Sequence, residues 1–389
     1  MKRRLYRMAG HERGGASRRR MCPGLAGAKL SIVHDDTLGD TRGPRPQFPW
    51  LAGSATGIGS MPGTDPMEAA RIVAGELPDF PYLPELPSRG PGADLIGRTA
   101  ALLIDMPVET TTGGWRIAER PGRYMQAARS MMSADLDAIE EVFSGYEGPL
   151  KFSLCGPWTL AATIELARTL NPVLSDGGAV ADLTVSLAEA TAAQVAEMAK
   201  RVPGADLVVQ FDEPALAAVA RGEIPTASGL SRLAAVDAPV MSDRLGTVVG
   251  AAGRYSVVHC CANEVPFGII WAARPNAIAF DLSLLRREEA DSVAEMADAG
   301  AGILAGAVPA IPPVAQREEP VRTTQRVLRF WRRLGMAPED CAQQVVVTPS
   351  CGLAGVPPAR VTELLAHCRE AARMVAELAE ESEDTEGWA

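Results

Sequence analysis

The sequence predicts an α/β protein, a (β/α)8 TIM barrel with an inserted hairpin between its second and third strands. Three observations predict it. Short apolar, β-rich runs alternate with Ala/Leu/Glu/Arg segments of helical period, the pattern of repeated βα units around a parallel sheet. The runs number eight, the count that closes such a barrel. Nearly every run ends on a polar or metal-binding residue, and enzymes of this fold collect their chemistry at the C-terminal ends of the strands. A doubly wound open sheet is the alternative that the same alternation allows.

In chain order the predicted strands are 56–60, 82–85, 150–155, 206–212, 256–261, 277–282, 302–307 and 345–351. The second is crowded with prolines, which cannot donate to a ladder. Helices are plainest at 66–76, 134–143, 180–202, 288–299, 317–334 and 359–380. ALLIDMPVET and GWRIAERP flank a Thr/Gly turn and read as the hairpin. The strand ends present Ser60, Glu85, Cys155, Asp212, His259 with Cys261, Asp281, the segment 307–309 and Cys351.

A chain of 389 residues can bury a large core and suits one α/β barrel or two ordinary domains. With 47% hydrophobic and 22% charged residues, wholesale disorder is excluded. The net charge of −10 hides an asymmetry: residues 1–20 carry +7, leaving −17 on the remainder. Residues 1–48 read as a disordered basic leader, 49–380 as one barrel domain and 381–389 as an acidic tail. An acidic body argues against nucleic acid as a partner. No apolar run is long enough for a secretory signal or a membrane span, so a soluble cytoplasmic protein without a membrane partner is expected. Seven cysteines scattered along a long chain suit reduced thiols rather than a disulfide framework.

The chemistry centres on SVVHCCANE and VVVTPSCGL. Side chains alternate along a strand, so His259 and Cys261 point to one side and Cys260 to the other. Zinc favours thiolate and imidazole ligands, and a catalytic site keeps a position open for substrate. Cys351 supplies a third ligand if the last strand closes beside the earlier ones. The competing reading is a satisfied core histidine among small buried thiols. Cys155 and Cys260 read as packing residues, and Cys22, Cys341 and Cys368 have no visible partner.

TGIGSMP, VVQFDEPAL, VVHCCANE and TPSCGL together resemble the signature segments of the catalytic C-terminal barrel of cobalamin-independent methionine synthase, over roughly residues 56–353. The resemblance implies zinc held by His259, Cys261 and Cys351, with a carboxylate as fourth ligand. Where the family has a glutamate, this chain has Asp281, one methylene shorter; Glu264 is a weaker substitute. It further implies that Asp212, the catalytic carboxylate of the set, receives the ammonium of homocysteine. Ser60, beside Gly59, binds the substrate carboxylate, and Glu85 is a further pocket carboxylate. The implied reaction is methyl transfer to homocysteine, giving methionine. An N-cap role for Asp212 and a tight turn at Gly59–Ser60 are the plainer alternatives.

Two departures leave the methyl donor open between a corrinoid and a methylfolate. Full-length enzymes of the family carry a second, N-terminal barrel that helps to hold the folate, and this chain is too short for one. The family also has a histidine after the seventh strand, whereas GAVPAIPPV has none, and His11, His34 and His367 lie elsewhere. CGPWTL offers Trp158 either to a flat donor or to ordinary rim packing. Two other readings compete: a uroporphyrinogen decarboxylase type of barrel, which needs an arginine-lined pocket and no metal, and a zinc- or thiol-binding protein without catalysis.

Overall fold

Six parallel strands in unbroken sequence order build the central sheet, and each hydrogen-bonds to the next. A computed structural model of the chain describes residues 48–310 and 318–383. A hairpin comes first, β1 (Val108–Thr111) against β2 (Gly114–Ile117), paired antiparallel. The sheet continues as β3 (Gly148–Cys155), β4 (Ala205–Asp212), β5 (Tyr255–His259), β6 (Ala277–Asp281), β7 (Gly302–Val308) and β8 (Val345–Pro349). This α/β arrangement is consistent with a TIM-type barrel.

The first two predicted strands do not form ladders. Residues 55–60 and 82–85 appear as isolated parallel bridges, Ala55 with Val347, Ser60 with Glu85 and Tyr82 with Lys151. Pro81 and Pro84 explain the weak pairing near the second, because proline has no N–H to give. The carbonyl of Pro81 still accepts from Lys151 N at 3.0 Å, and Leu83 N donates to the Lys151 carbonyl at 2.8 Å. The two segments thus lie between β8 and β3.

The helices before β4 are α1 (Pro66–Glu76), α2 (Leu95–Ala100), α3 (Arg123–Val142), α4 (Pro157–Thr163) and α5 (Gly177–Arg201). After it come α6 (Leu216–Ala220), α7 (Ala238–Ala251), α8 (Phe267–Ala272), α9 (Ala290–Asp298), α10 (Pro320–Arg333), α11 (Pro338–Gln344) and α12 (Pro358–Glu383). α1 begins where its sequence says it must: Asp65 accepts from Met67 N and Glu68 N, and Pro66 fills the first turn. α3 starts eleven residues before the predicted 134, because Met125, Ala128, Met132, Leu136 and Ile139 form one continuous buried stripe.

The expected basic leader lies outside the described residues except Phe48, which is buried and stacks on Trp50 with ring centroids 5.4 Å apart. Of the expected acidic tail, 381–383 continue α12 and 384–389 lie outside the described residues. No helix among the described residues is long and apolar enough to cross a membrane.

Two apolar clusters fill the fold. The smaller gathers Phe48, Trp50 and Phe80 with Val208, Val257, Ala277, Ala279, Leu304 and Val346 from five consecutive strands. Strand register brings polar residues into line beyond this cluster, toward the C-terminal ends. Ser153 pairs with Gln210, Cys155 with Asp212 and Asp212 with His259, so polar residues succeed apolar ones along each strand.

Candidate active site

Asp212 and His259 are the last residues of adjacent strands, and their side chains meet. His259 Nδ1–H donates to Asp212 Oδ1 over 2.6 Å, and the imidazole is only 4% exposed. Its other nitrogen, Nε2, is buried without a hydrogen-bond partner. An unpaired buried polar atom is costly unless something else takes it. A carboxylate behind Nδ1 leaves the Nε2 lone pair free, the arrangement of a metal-binding histidine.

Cys261 lies two residues past β5 and Cys351 two residues past β8, yet their sulfurs are 3.4 Å apart. Either thiol can donate to the other across this contact. That hydrogen bond, with help from the Gly352 N–H, pulls the Cys351 thiol down to about 6 against the cost of burial. The same bond holds Cys261 well above an ordinary thiol, with burial adding to it. The pair therefore carries one readily lost proton. Cys260 faces away, fully buried, and burial pushes it up to about 12, as a packing thiol should be.

The other expected ligands are placed less simply. Asp281 ends β6, but its Oδ1 accepts from Ser283 N at 2.8 Å and Ser283 Oγ at 2.7 Å, closing a turn on itself. Glu264 takes a positive φ of 59° and pairs with Arg221 at 3.2 Å and Arg286 at 2.9 Å on the rim. Among the described residues no three His, Cys, Asp or Glu side chains close into a ready-made metal cage. The donor chemistry nevertheless fits zinc: two touching thiols, one of them poised to ionise, and an imidazole nitrogen with nothing else to bind.

Ser60 and Glu85 come together, bridged in parallel register. Ser60 also holds the Cys351 loop, since its carbonyl accepts from Leu353 N at 2.7 Å. A methyl on Gly352 would overlap Ser60 Oγ, and one on Gly59 would crowd Ser153 Oγ and the Glu85 carboxyl. These glycines therefore allow the approach of three segments. Glu85 is buried, which raises its carboxyl to about 7, opposed by Arg98 and reinforced by Asp212.

Residues 175–374, just over half of the chain, match the family model "Cobalamin-independent synthase, Catalytic domain". The chain belongs to the cobalamin-independent synthase family. Membership makes it a methyltransferase of the methionine-synthase type. Among solved structures, the fold is similar to that of a B12-independent methionine synthase from a Shewanella species, in complex with selenomethionine. The identity is 12% and the TM-score 0.58, over 85% of this chain and 100% of that one. No curated protein matches the sequence.

The family's matched stretch contains Asp212, His259, Cys261, Asp281 and Cys351, while Ser60 and Glu85 precede it. The structure adds residues that the sequence left unremarked. Arg98, buried on α2, sits 3.6 Å from Glu85 and 3.7 Å from Asp135, and Arg89 pairs with Asp135 at 2.7 Å. Lys151 and Gln210 lie inside the sheet beside Asp212. Each is a polar residue interrupting an apolar run, LKFSLC and LVVQF, and that interruption is the signal that would have found them.

Glu213 is a further addition. Fully buried, it accepts from Trp158 N at 2.9 Å, Thr159 N at 2.8 Å and Thr159 Oγ1 at 2.6 Å, capping α4 from another strand. Asp212 is not the cap of a following helix; α6 has no side-chain cap. Trp158 is 1% exposed and donates from Nε1 to the Met241 carbonyl at 2.9 Å, so it packs rather than facing a donor.

Proposed function

We propose that this protein is a zinc-dependent methyltransferase that moves a methyl group to the thiolate of homocysteine, giving methionine. The observation that carries the reading is the buried, unpartnered Nε2 of His259, backed by Asp212 and accompanied by two sulfurs in contact. His259, Cys261 and Cys351 hold the metal, with Asp281 as the fourth ligand once it leaves Ser283. Bound there, zinc supplies a thiolate at neutral pH from a thiol that ordinarily titrates near 8.5.

The chain's own residues bind and orient the acceptor. Asp212 has committed Oδ1 to His259 and Gln210, which leaves Oδ2 for the ammonium of homocysteine. Ser60, with the backbone around Gly59, receives the substrate carboxylate, and Glu85 lines the same pocket. An amino acid held at both ends directs its sulfur toward the two cysteines, and positioning of this kind removes much of the entropic barrier. Nothing on the protein becomes covalently modified.

Segments 55–60 and 82–85 serve as the remaining two staves of a (β/α)8 barrel, with the hairpin as an insertion after them. The described residues, from Phe48 to the end of α12 at Glu383, form its single domain. The free cysteines among the described residues suit the reducing cytoplasm. The methyl donor is a corrinoid or a methylfolate. Protein purified without chelators tests the reading, by zinc content and by methionine formation from homocysteine with methylcobalamin, a methyl-corrinoid protein, methyltetrahydrofolate or S-adenosylmethionine. Protein that holds no zinc under these conditions excludes it.

A further inference from the structure

A chain of hydrogen bonds reaches His259 from inside the sheet. Lys151, with none of its surface exposed, donates from Nζ to the Ile58 carbonyl at 2.9 Å and to Gln210 Oε1 at 2.7 Å. Gln210, equally buried, donates from Nε2 to the same carbonyl at 2.9 Å and to Asp212 Oδ1 at 2.8 Å. Asp212 Oδ1 accepts in turn from His259 Nδ1.

The chain has a direction, and Lys151 anchors its inner end. An ammonium has three protons to give and no lone pair with which to accept. The Gln210 amide oxygen must therefore face Lys151, and its NH2 must face Asp212. The Ile58 carbonyl and the Asp212 carboxylate, which can only accept from the Gln210 NH2, demand the same orientation, so Lys151 clamps from its far side the amide that holds Asp212 in place. Burial draws Lys151 down to about 8, resisted by Asp212 and Glu85, so it keeps its charge at neutral pH.

Packing alone does not call for a cation here, although Nζ also lies 5.4 Å from the centroid of the Tyr82 ring, a favourable face for it. The adjoining interior positions Val208, Val257, Ala277 and Leu304 are apolar, and a buried ion costs free energy that a hydrophobic residue of similar volume avoids. We propose that Lys151 is a positioning residue that, through Gln210 and Asp212, fixes the ring orientation and tautomer of His259 and so turns Nε2 rather than Nδ1 toward the metal. Only the last step rests on the zinc reading; the tautomer belongs to the metal-free protein.

The test uses Lys151→Met and Gln210→Met in the full chain labelled with 15N-histidine. Long-range NMR couplings report the tautomer in metal-free protein, with His259→Gln assigning the signal among the four histidines. Wild type is expected to show the Nδ1–H form. Each variant is expected to give a mixed or Nε2–H spectrum and to lose zinc to a competing chelator about 10–100-fold more readily, the usual effect of removing a group behind a metal ligand. Retention of the Nδ1–H form and of wild-type zinc affinity in both variants overturns the proposal. So does a lowered melting temperature with no change in tautomer, which marks a packing role. If one variant does not fold, the other carries the comparison. If wild type binds no zinc while its tautomer still responds to Lys151→Met, the positioning role stands and the zinc reading fails.

Discussion

Oδ1 of Asp212 lies 2.6 Å from Nδ1 of His259, and the same oxygen accepts from Gln210 at 2.8 Å. One carboxylate oxygen thus serves the imidazole while the other remains for substrate. Asp212→Asn should damage both tasks at once, because an amide cannot accept from His259 and Gln210 and also attract an ammonium. Zinc affinity should fall about 10–100-fold. In protein saturated with zinc, the KM for homocysteine should still rise. Chelator competition and steady-state kinetics separate the two, and an unchanged KM would remove Asp212 from substrate binding.

The thiols of Cys260, Cys261 and Cys351 are expected to behave differently, although two of them are neighbours in sequence. Cys261 and Cys351 touch each other at 3.4 Å, while Cys260 faces the core. Cys351→Ala and His259→Ala should abolish zinc retention and methyl transfer together. Cys260→Ala should leave both nearly intact and cost only the stability of a small buried side chain, on the order of 1 kcal/mol. Metal analysis of the purified variants decides it. Zinc held as well by Cys351→Ala as by wild type would sink the ligand assignment.

Glu85 gives stability a pH dependence of defined sign. Burial raises its carboxyl from 4.5 to about 7 in the fold, so the folded state favours the proton. Its contribution is fully present below about 4.5 and is lost as pH rises through about 7. Relative to Glu85→Gln, wild type should lose stability between those limits and level off above them. The full shift, in which the opposing Arg98 charge is already included, corresponds to about 3 kcal/mol. Urea unfolding of both proteins from pH 4.5 to 8 measures it, and a difference that is flat with pH refutes the protonated carboxyl.

Legibility in the sequence depended on how local each cause was. Strands such as β4 and β7 could be read because a strand buried on both faces is a continuous apolar run, and α1 because Asp65 and Pro66 announce its first turn. The two bridging segments were legible as positions but not as ladders, since their hydrogen bonds depend on β3 and β8. At the site, His259, Cys261 and Cys351 stood out by residue type and placement. Lys151, Gln210, Glu213 and Arg98 did not, because each draws its meaning from a partner on another element. Lys151 and Gln210 are 59 residues apart, and no spacing rule joins them.

Gly156 and Glu213 show the same dependence in a form that can be measured. Gly156 has φ −74° and ψ 165°, a conformation any residue adopts, so backbone strain does not require glycine there. A methyl group would instead overlap the Glu213 carboxylate. To make room, Glu213 must give up its hydrogen bonds from Trp158 N, Thr159 N and Thr159 Oγ1 in a site without solvent. Overpacking costs about 1–3 kcal/mol and a lost hydrogen bond to a charged group about 1.5–3, so Gly156→Ala should destabilise by at least about 3 kcal/mol. Glu213→Ala should also destabilise, by uncapping α4 and leaving its N–H groups buried. In the Glu213→Ala background, however, Gly156→Ala should cost little, because the group it collides with is gone. A double-mutant cycle by urea denaturation reads the coupling, and additive costs would show that the glycine is needed for some other reason.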